Sequence, residues 1–211
     1  YTTFPGIGVR FILLLWDSNT AELVALMEAN ILGQLRTGAA SGAGARLMAR
    51  EDAKVAGLFG SGSQARTQLE ALCCAMPLKQ VKIYSRSAEK REKFVDRMKD
   101  KVSAELVAVE TPAEAVKGSA IVCTMTTAKD PVFDGNDLEP GTTVIPAGSN
   151  RATNREVDDE TFRRAAKGRI ATDDVEGAKI ESGDLIRAVA GRAVNWGQVV
   201  EIGQIAAGKM P

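Results

Sequence analysis

The sequence has 211 residues, 45% of them hydrophobic, with 27 basic and 27 acidic side chains and no histidine. A chain this long buries about 70% of the surface its unfolded form exposes, enough for one or two domains. Balanced charge excludes the global field of a nucleic-acid binder or a polybasic membrane-surface protein, and the missing histidine excludes Ser-His-Asp chemistry and His-ligated metal sites.

A small-molecule partner is therefore expected, with neither nucleic acid nor membrane. Three cysteines, Cys73, Cys74 and Cys123, have neither disulfide-framework nor metal-ligand spacing, and read as core thiols of a reducing, cytoplasmic compartment. The apolar run "FILLLW" at 11 to 16 is too short to span a bilayer.

In chain order, "FILLLWDSNTAELVALME" (11 to 28) places two apolar strand-like runs around the turn sequence "DSNT", predicting an antiparallel hairpin. "NILGQLRTGAASGAGARLMARED" follows with helical spacing. Gly38, Gly42 and Gly44 weaken a helix, so their density predicts a backbone that closely approaches something else. Arg36, among small and apolar residues, must be paired or exposed, and a substrate carboxylate would satisfy it bidentately. A helix-surface arginine is the ordinary alternative.

Beyond residue 53 strand and helix patterns alternate: "KVAGLFG" and "SQARTQLEALCCAM", "QVKIYSR" and "SAEKREKFVDRMKD", "ELVAVE" and "TPAEAVKG", then "SAIVCTMT", "TTVIPAG" and "RIATD". Continuous Val/Ile/Leu runs between amphipathic helices predict a buried, mostly parallel sheet. The tail from 184, "DLIRAVAGRAVNWGQVVEIGQIAAGKMP", has helical periodicity.

"FGSGSQAR" (59 to 66) closes the first of these strands and opens the first helix. Gly60 allows a tight turn, Ser61 lies within it, Gly62 lets a pyrophosphate approach, and Ala65 keeps helix and strand close. The N–H groups of Ser63, Gln64 and Ala65 would face the anion at the helix N-terminus. Alone the motif is weak; after the first strand of a β/α series it predicts a dinucleotide cradle, against the alternative of a structural turn.

The second strand ends in Ser85, Arg86 and Ser87 where an NAD-binding acid would stand. A guanidinium and two hydroxyls suit a 2′-phosphate, so NADP is favoured, with NAD possible; the bland alternative is a solvated loop arginine. Thr124, Met125 and Thr126 end the fourth strand at the sheet's carboxyl edge, where they could line the nicotinamide ribose or simply turn into a loop. Asn150 ends the fifth in the same way. The acidic run "EVDDE" (156 to 160) reads as a helix start favoured by the macrodipole, whereas "TDD" (172 to 174) stays open.

In order, "LRTGAASGAGARLMARED", "VAGLFGSGSQARTQLEAL", "CTMTTAKDPVF", "GTTVIPAGSNRATNREVDDE", "ESGDL" and "GQVVEIGQIAAGK" resemble the ornithine cyclodeaminase/mu-crystallin family over nearly the whole chain. The resemblance implies a Rossmann-type doubly wound mostly parallel sheet at 51 to 175. Part of a smaller α+β substrate and dimerisation domain would occupy 1 to 50, and a helical return segment 176 to 211. It implies NAD(P)-dependent chemistry at the C–N bond of a small amino or imino acid, in a homodimer. Arg36 would grip the substrate carboxylate, and Thr37 would lie against the cofactor phosphates. Residues 60 to 65 would hold the pyrophosphate, 85 to 87 the adenosine ribose, and 124 to 126 the nicotinamide side.

Two departures qualify this. Cyclodeaminases carry a catalytic aspartate where this chain has Asn150, and an amide cannot accept a proton as a carboxylate does. Imine reduction or amino-acid dehydrogenation is therefore expected over deaminating cyclisation, with Arg36 and Asn150 at the reacting centre. The chain is also shorter than family members, lacks the segment that supplies a substrate-binding lysine, and has a tight "FPGIGVRF" junction, all of which suggest a fragment. If the chain were complete, a non-catalytic NADP or small-ligand binding protein would be the other reading.

Overall fold

A computed structural model describes residues 2–209. The N-terminal region holds two antiparallel pairs, β1 (Thr2–Phe4) with β2 (Gly8–Arg10) and β3 (Ile12–Trp16) with β4 (Leu23–Glu28). The second pair is the expected hairpin. Its turn is closed by Asp17, whose carboxylate accepts from the Asn19 and Thr20 N–H groups at 2.8 and 3.0 Å, the Asx-turn chemistry that favours aspartate there. The "FPGIG" junction is a hairpin turn with Gly6 and Gly8 at φ +74° and +98°.

Helix α1 (Asn30–Met48) follows, then β5 (Val55–Phe59), α2 (Ser63–Ala75), β6 (Gln80–Tyr84), α3 (Ala88–Met98), β7 (Glu105–Ala108), α4 (Pro112–Val116), β8 (Ile121–Thr124) and β9 (Thr143–Pro146). The five strands β5 to β9 form one parallel sheet in the spatial order β7-β6-β5-β8-β9. This is the doubly wound order, whose crevice opens between β5 and β8, where successive connections leave in opposite directions. Alternate residues feed opposite faces: Leu58, Ile121 and Cys123 pack with Leu69, Leu72, Val81 and Phe94, while Phe59 and Val122 pack with Val116, Phe133 and Phe162. β8 is buried at all four positions, as a central parallel strand must be.

Local signals start the helices. Ser87 caps α3 by accepting from Lys90 N–H, and Thr111 caps α4 ahead of Pro112 at its first position. The remaining elements are α5 (Asp159–Ala165), β10 (Ile170–Thr172), α6 (Val175–Glu181), α7 (Gly183–Ala190), β11 (Val199–Glu201) and α8 (Ile202–Ala206). Two expectations change here. "RIATD", placed in the strand series, is β10 and leaves the main sheet to pair in parallel with β11, Ile170 opposite Val199. The tail, expected to be helical, is helical in α7 and α8 but contains β11, because "VVE" after the Trp196–Gln198 turn is a short apolar run that periodicity cannot assign.

Of the α1 glycines expected to make a close approach, Gly38 and Gly42 meet α2, whereas a β-carbon at Gly44 would meet only the Ile202 side chain among the described residues, at 3.4 Å. A β-carbon at Gly38 would lie 2.3 Å from the Thr67 carbonyl oxygen, and one at Gly42 would lie 2.9 Å from that of Ala71. This contact fixes α1 against the helix that follows the glycine motif. No described helix is long and apolar enough to cross a membrane.

Candidate functional site

Gly60 follows β5 with φ +120°, a conformation open to glycine, and a β-carbon there would lie 2.4 Å from the Met125 carbonyl oxygen. Its N–H donates to the Tyr84 carbonyl at 2.9 Å, while the Met125 N–H donates to that of Phe59 at 2.8 Å. The turn is thus held between the ends of β6 and β8, and the predicted pyrophosphate loop touches the predicted nicotinamide-side loop. Gly62 is the N-cap of α2 and nothing lies within 4 Å of where its β-carbon would be. Gly62 and Ser63 are exposed, Ser61 and Gln64 half-buried, and Ala65 fully buried against the sheet.

The start of α2 has no side-chain cap and no acidic residue in its first turn. The first N–H groups of a helix need acceptors, and this end presents them beside an open glycine. The Gln64 Oε1 atom is likewise buried without a partner. An open glycine and an uncapped helix start at a sheet switch point fit the phosphates of a dinucleotide.

At the end of β6 the two serines are engaged with the chain. Ser85 Oγ donates to the Ser87 carbonyl at 3.1 Å, Ser87 Oγ accepts from Lys90 N–H at 3.3 Å, and Arg91 donates to the Ser85 carbonyl at 3.2 Å. Arg86 is exposed. A cavity of about 120 Å³ lies between the glycine turn and α3, lined by Ser61, Lys90, Lys93, Phe94 and Arg97. Lys90, Lys93 and Arg97 recur at helical spacing, so they share one face of α3. A larger cavity, about 290 Å³, is lined by Arg46, Glu51 and Met76 at the C-terminal ends of α1 and α2, away from the glycine turn.

Arg36 is exposed on α1 and bonds no carboxylate among the described residues. Thr37 is half-buried and donates to the Gly33 carbonyl at 2.9 Å. Gly38 beside it abuts Thr67, about one turn into α2, so the helix contact carries Arg36 and Thr37 toward the phosphate end of the site.

The loop after β9 presents Asn150 exposed, next to buried Gly148 and Ser149. Behind it lies Glu156, fully buried, which was expected at a helix start. Its Oε2 accepts from Thr124 Oγ1 and Gly148 N–H, both at 2.7 Å, and its Oε1 accepts from Thr126 N–H at 2.6 Å. Asp184, 1% exposed, accepts from the Glu156 and Val157 N–H groups at 2.8 and 3.1 Å. Burial pushes both carboxyls above their usual values, against these hydrogen bonds.

Thr124, expected to line the nicotinamide ribose, needs correction. It is fully buried and its hydroxyl is committed to Glu156, so it can act on a ligand only through that carboxylate. Met125 is partly buried against the core, and Thr126 is half-buried, its hydroxyl accepting from Ala128 N–H at 3.2 Å.

The rest of the acidic run behaves as a helix start, with Asp158 capping α5 through the Thr161 N–H at 2.8 Å. Asp174 caps α6 through the Gly177 N–H at 2.8 Å, which resolves "TDD" as a cap. Of the cysteines only Cys123 is fully in the core; Cys73 is half-buried, its thiol pushed up to about 11 by burial, and Cys74 is exposed.

Residues 8–211 match the model of the ornithine cyclodeaminase/mu-crystallin family. The mouse ketimine reductase mu-crystallin is 30% identical over 187 residues, which cover 89% of this chain and 58% of that protein. The structure of Thermococcus litoralis Δ1-pyrroline-2-carboxylate reductase with NADH and L-proline superposes with a TM-score of 0.85 at 36% identity, over 93% of this chain and 60% of that one. An archaeal alanine dehydrogenase dimer with bound NAD gives 0.86 at 29% identity, over 96% and 61%. The chain thus spans about three fifths of the length of these relatives. With a matching family model across nearly all its residues, the chain belongs to the ornithine cyclodeaminase/mu-crystallin family.

Proposed function

We propose that this chain forms the cofactor-binding part, and some of the substrate-binding part, of an NAD(P)H-dependent oxidoreductase. It would reduce the C=N bond of a small imino acid or run amino-acid dehydrogenation in the opposite direction. The observation that carries this reading is the open, uncapped start of α2 at Gly62, packed through Gly60 onto Met125 at the sheet's switch point. The named activities of the ketimine and pyrroline-carboxylate reductases, and the NADH and L-proline bound to the latter, support the same class.

A bound reduced nicotinamide would supply the hydride that adds to the imine carbon. The chain's own contribution is positioning. Gly60 to Ala65 hold the pyrophosphate, Met125 and Thr126 border the nicotinamide side, and Thr37 meets the phosphates. Arg36 grips the substrate carboxylate, and with no carboxylate partner among the described residues its guanidinium is available for that. Asn150, an amide at an exposed loop tip, orients the imine or a water. The buried carboxylates Glu156 and Asp184 face backbone N–H groups, so neither supplies the base that deaminating cyclisation needs at the cleft.

NADP is the preferred cofactor in this reading. Arg86 and the cationic face of α3 beside Ser61 favour a 2′-phosphate, and positions 85 to 87, directly after β6, carry no acidic side chain to hold a free ribose hydroxyl. Residues 1 to 50 belong to the substrate and dimerisation domain, and 176 to 211 form the segment that returns toward it. The apolar hairpin, with Ile12 68% and Leu26 66% exposed, supplies the homodimer contact. The exposed Cys74 suits a reducing, cytoplasmic location.

The test is to mix the chain with NADPH and a panel of cyclic and linear α-imino acids. Substrate-dependent loss of reduced cofactor supports the reading. Ammonia release from ornithine without net change in cofactor would replace it with a cyclodeaminase, and tight NADPH binding without turnover with a binding protein.

A further inference from the structure

We propose that Glu156 is a positioning residue that sets the nicotinamide half of the cofactor site, acting through Thr124, Thr126 and Gly148. This rests on the reading that the ends of β8 and β9 border the nicotinamide side.

One buried carboxylate collects donors from two neighbouring strand ends. Thr124 is the last residue of β8, Thr126 lies two residues beyond it, and Gly148 lies two residues beyond β9. The ladder already joins these strands through the Ala147 N–H to the Thr124 carbonyl at 2.9 Å. Glu156 extends that join past the end of the sheet, where the chain would otherwise splay. The fit leaves no slack: a β-carbon at Gly148 would come 2.5 Å from the Thr126 carbonyl oxygen and 2.6 Å from Glu156 Oε1.

The carboxylate is itself held from behind. Its backbone N–H donates to Asp184 Oδ1 at 2.8 Å. The Asp184 N–H donates to Ser149 Oγ at 3.0 Å, and the Ser149 hydroxyl donates to the Asn154 carbonyl at 3.3 Å. A β-carbon at Gly183, the first residue of α7, would lie 2.6 Å from the Arg151 carbonyl and 2.1 Å from that of Asn154. The loop is thus fixed at Gly148, Ser149, Asn154 and Glu156, with Asn150 exposed between them.

Burying a carboxylate among N–H and O–H donors, with no cation hydrogen-bonded to it among the described residues, costs more than filling the same space with apolar atoms. Its return is geometric, since three converging hydrogen bonds fix two loops relative to each other. The Met125 carbonyl that packs on Gly60 lies between two of the clamped residues, so the clamp also sets the distance from nicotinamide loop to phosphate turn.

The test compares the unmodified chain with Glu156→Gln, Thr124→Val and Thr124→Ser. In Glu156→Gln the amide nitrogen must face the Thr126 or the Gly148 N–H, so one acceptor becomes a donor at unchanged shape. Thr124→Val removes the hydroxyl at similar shape, and Thr124→Ser keeps it. Each is titrated calorimetrically with NADPH and with 2′,5′-ADP, which carries the adenosine half alone, and its melting temperature is recorded.

Loss of a charge-assisted hydrogen bond predicts NADPH binding about tenfold weaker in Glu156→Gln and Thr124→Val. Binding of 2′,5′-ADP should stay within about twofold, and Thr124→Ser should restore NADPH binding. Equal weakening of both ligands, or none in a folded Glu156→Gln or Thr124→Val variant, overturns the proposal. An unmodified chain that binds neither ligand overturns the dinucleotide reading, and this inference falls with it.

Discussion

Gly38 of α1 lies against Thr67 of α2 so closely that a β-carbon would come within 2.3 Å of the Thr67 carbonyl oxygen. Helix propensity and packing then predict opposite outcomes for Gly38→Ala. Propensity alone gains about 1 kcal/mol in a helix interior, whereas overpacking costs about 1 to 3 kcal/mol, and the obstacle here is backbone that cannot turn aside. The expected result is net destabilisation by about 1 kcal/mol or more, measured by denaturant unfolding. An increase in stability would contradict the helix contact.

The two motif glycines should respond differently. At Gly60 both the positive φ and the Met125 carbonyl oppose a side chain, so Gly60→Ala should destabilise by about 1 to 3 kcal/mol and also lose cofactor. Gly62 sits at φ −83° with open space around it. Gly62→Val should therefore leave the melting temperature nearly unchanged while weakening NADPH binding at least about tenfold, because the side chain occupies the pyrophosphate's place. Equal melting losses for the two variants would argue against a ligand role for Gly62.

Cofactor choice is predicted to depend on Arg86 and on the cationic face of α3 beside Ser61. Arg86→Ala and Lys90→Ala should each weaken NADPH binding by about tenfold, the scale of a lost charge-assisted hydrogen bond, with little effect on NADH. Parallel titrations with the two cofactors check this. Equal losses for both would move the 2′-phosphate site elsewhere.

The buried carboxylates set a pH dependence of stability. Burial holds Glu156 above the ordinary glutamate value, and Asp184 is raised for the same reason. A carboxyl whose folded pKa exceeds its unfolded one binds more protons when folded. Its contribution is fully present below the unfolded value and is lost as pH rises through the folded one. Glu156→Gln should accordingly make unfolding free energy fall less steeply with pH above about pH 4.3. Denaturant unfolding across that range measures the slope, and an unchanged slope would contradict a raised Glu156.

The parallel sheet and the glycine turn were legible because both depend on local pattern: continuous Val/Ile/Leu runs, and glycines at fixed offsets after a strand. The small-residue face of α1 was legible as a close approach, though not its partner. Glu156 was not legible. It stands among Asp158, Asp159 and Glu160, which do start a helix, and its partner Thr124 lies 32 residues earlier in the chain. Nothing in the local spacing separates a buried carboxylate from its exposed neighbours. Thr124 was misread for the same reason, since a strand-end threonine looks alike whether its hydroxyl meets a ligand or a buried acid. β11 escaped because three residues are too few to show a period.

The central claim is that the open start of α2 holds a dinucleotide, and calorimetric titration of the chain with NADPH tests it most directly. The account predicts saturable binding at one site per chain, abolished or weakened at least about tenfold in a folded Gly62→Val variant. No binding to the unmodified chain, or binding that Gly62→Val leaves intact, would contradict it.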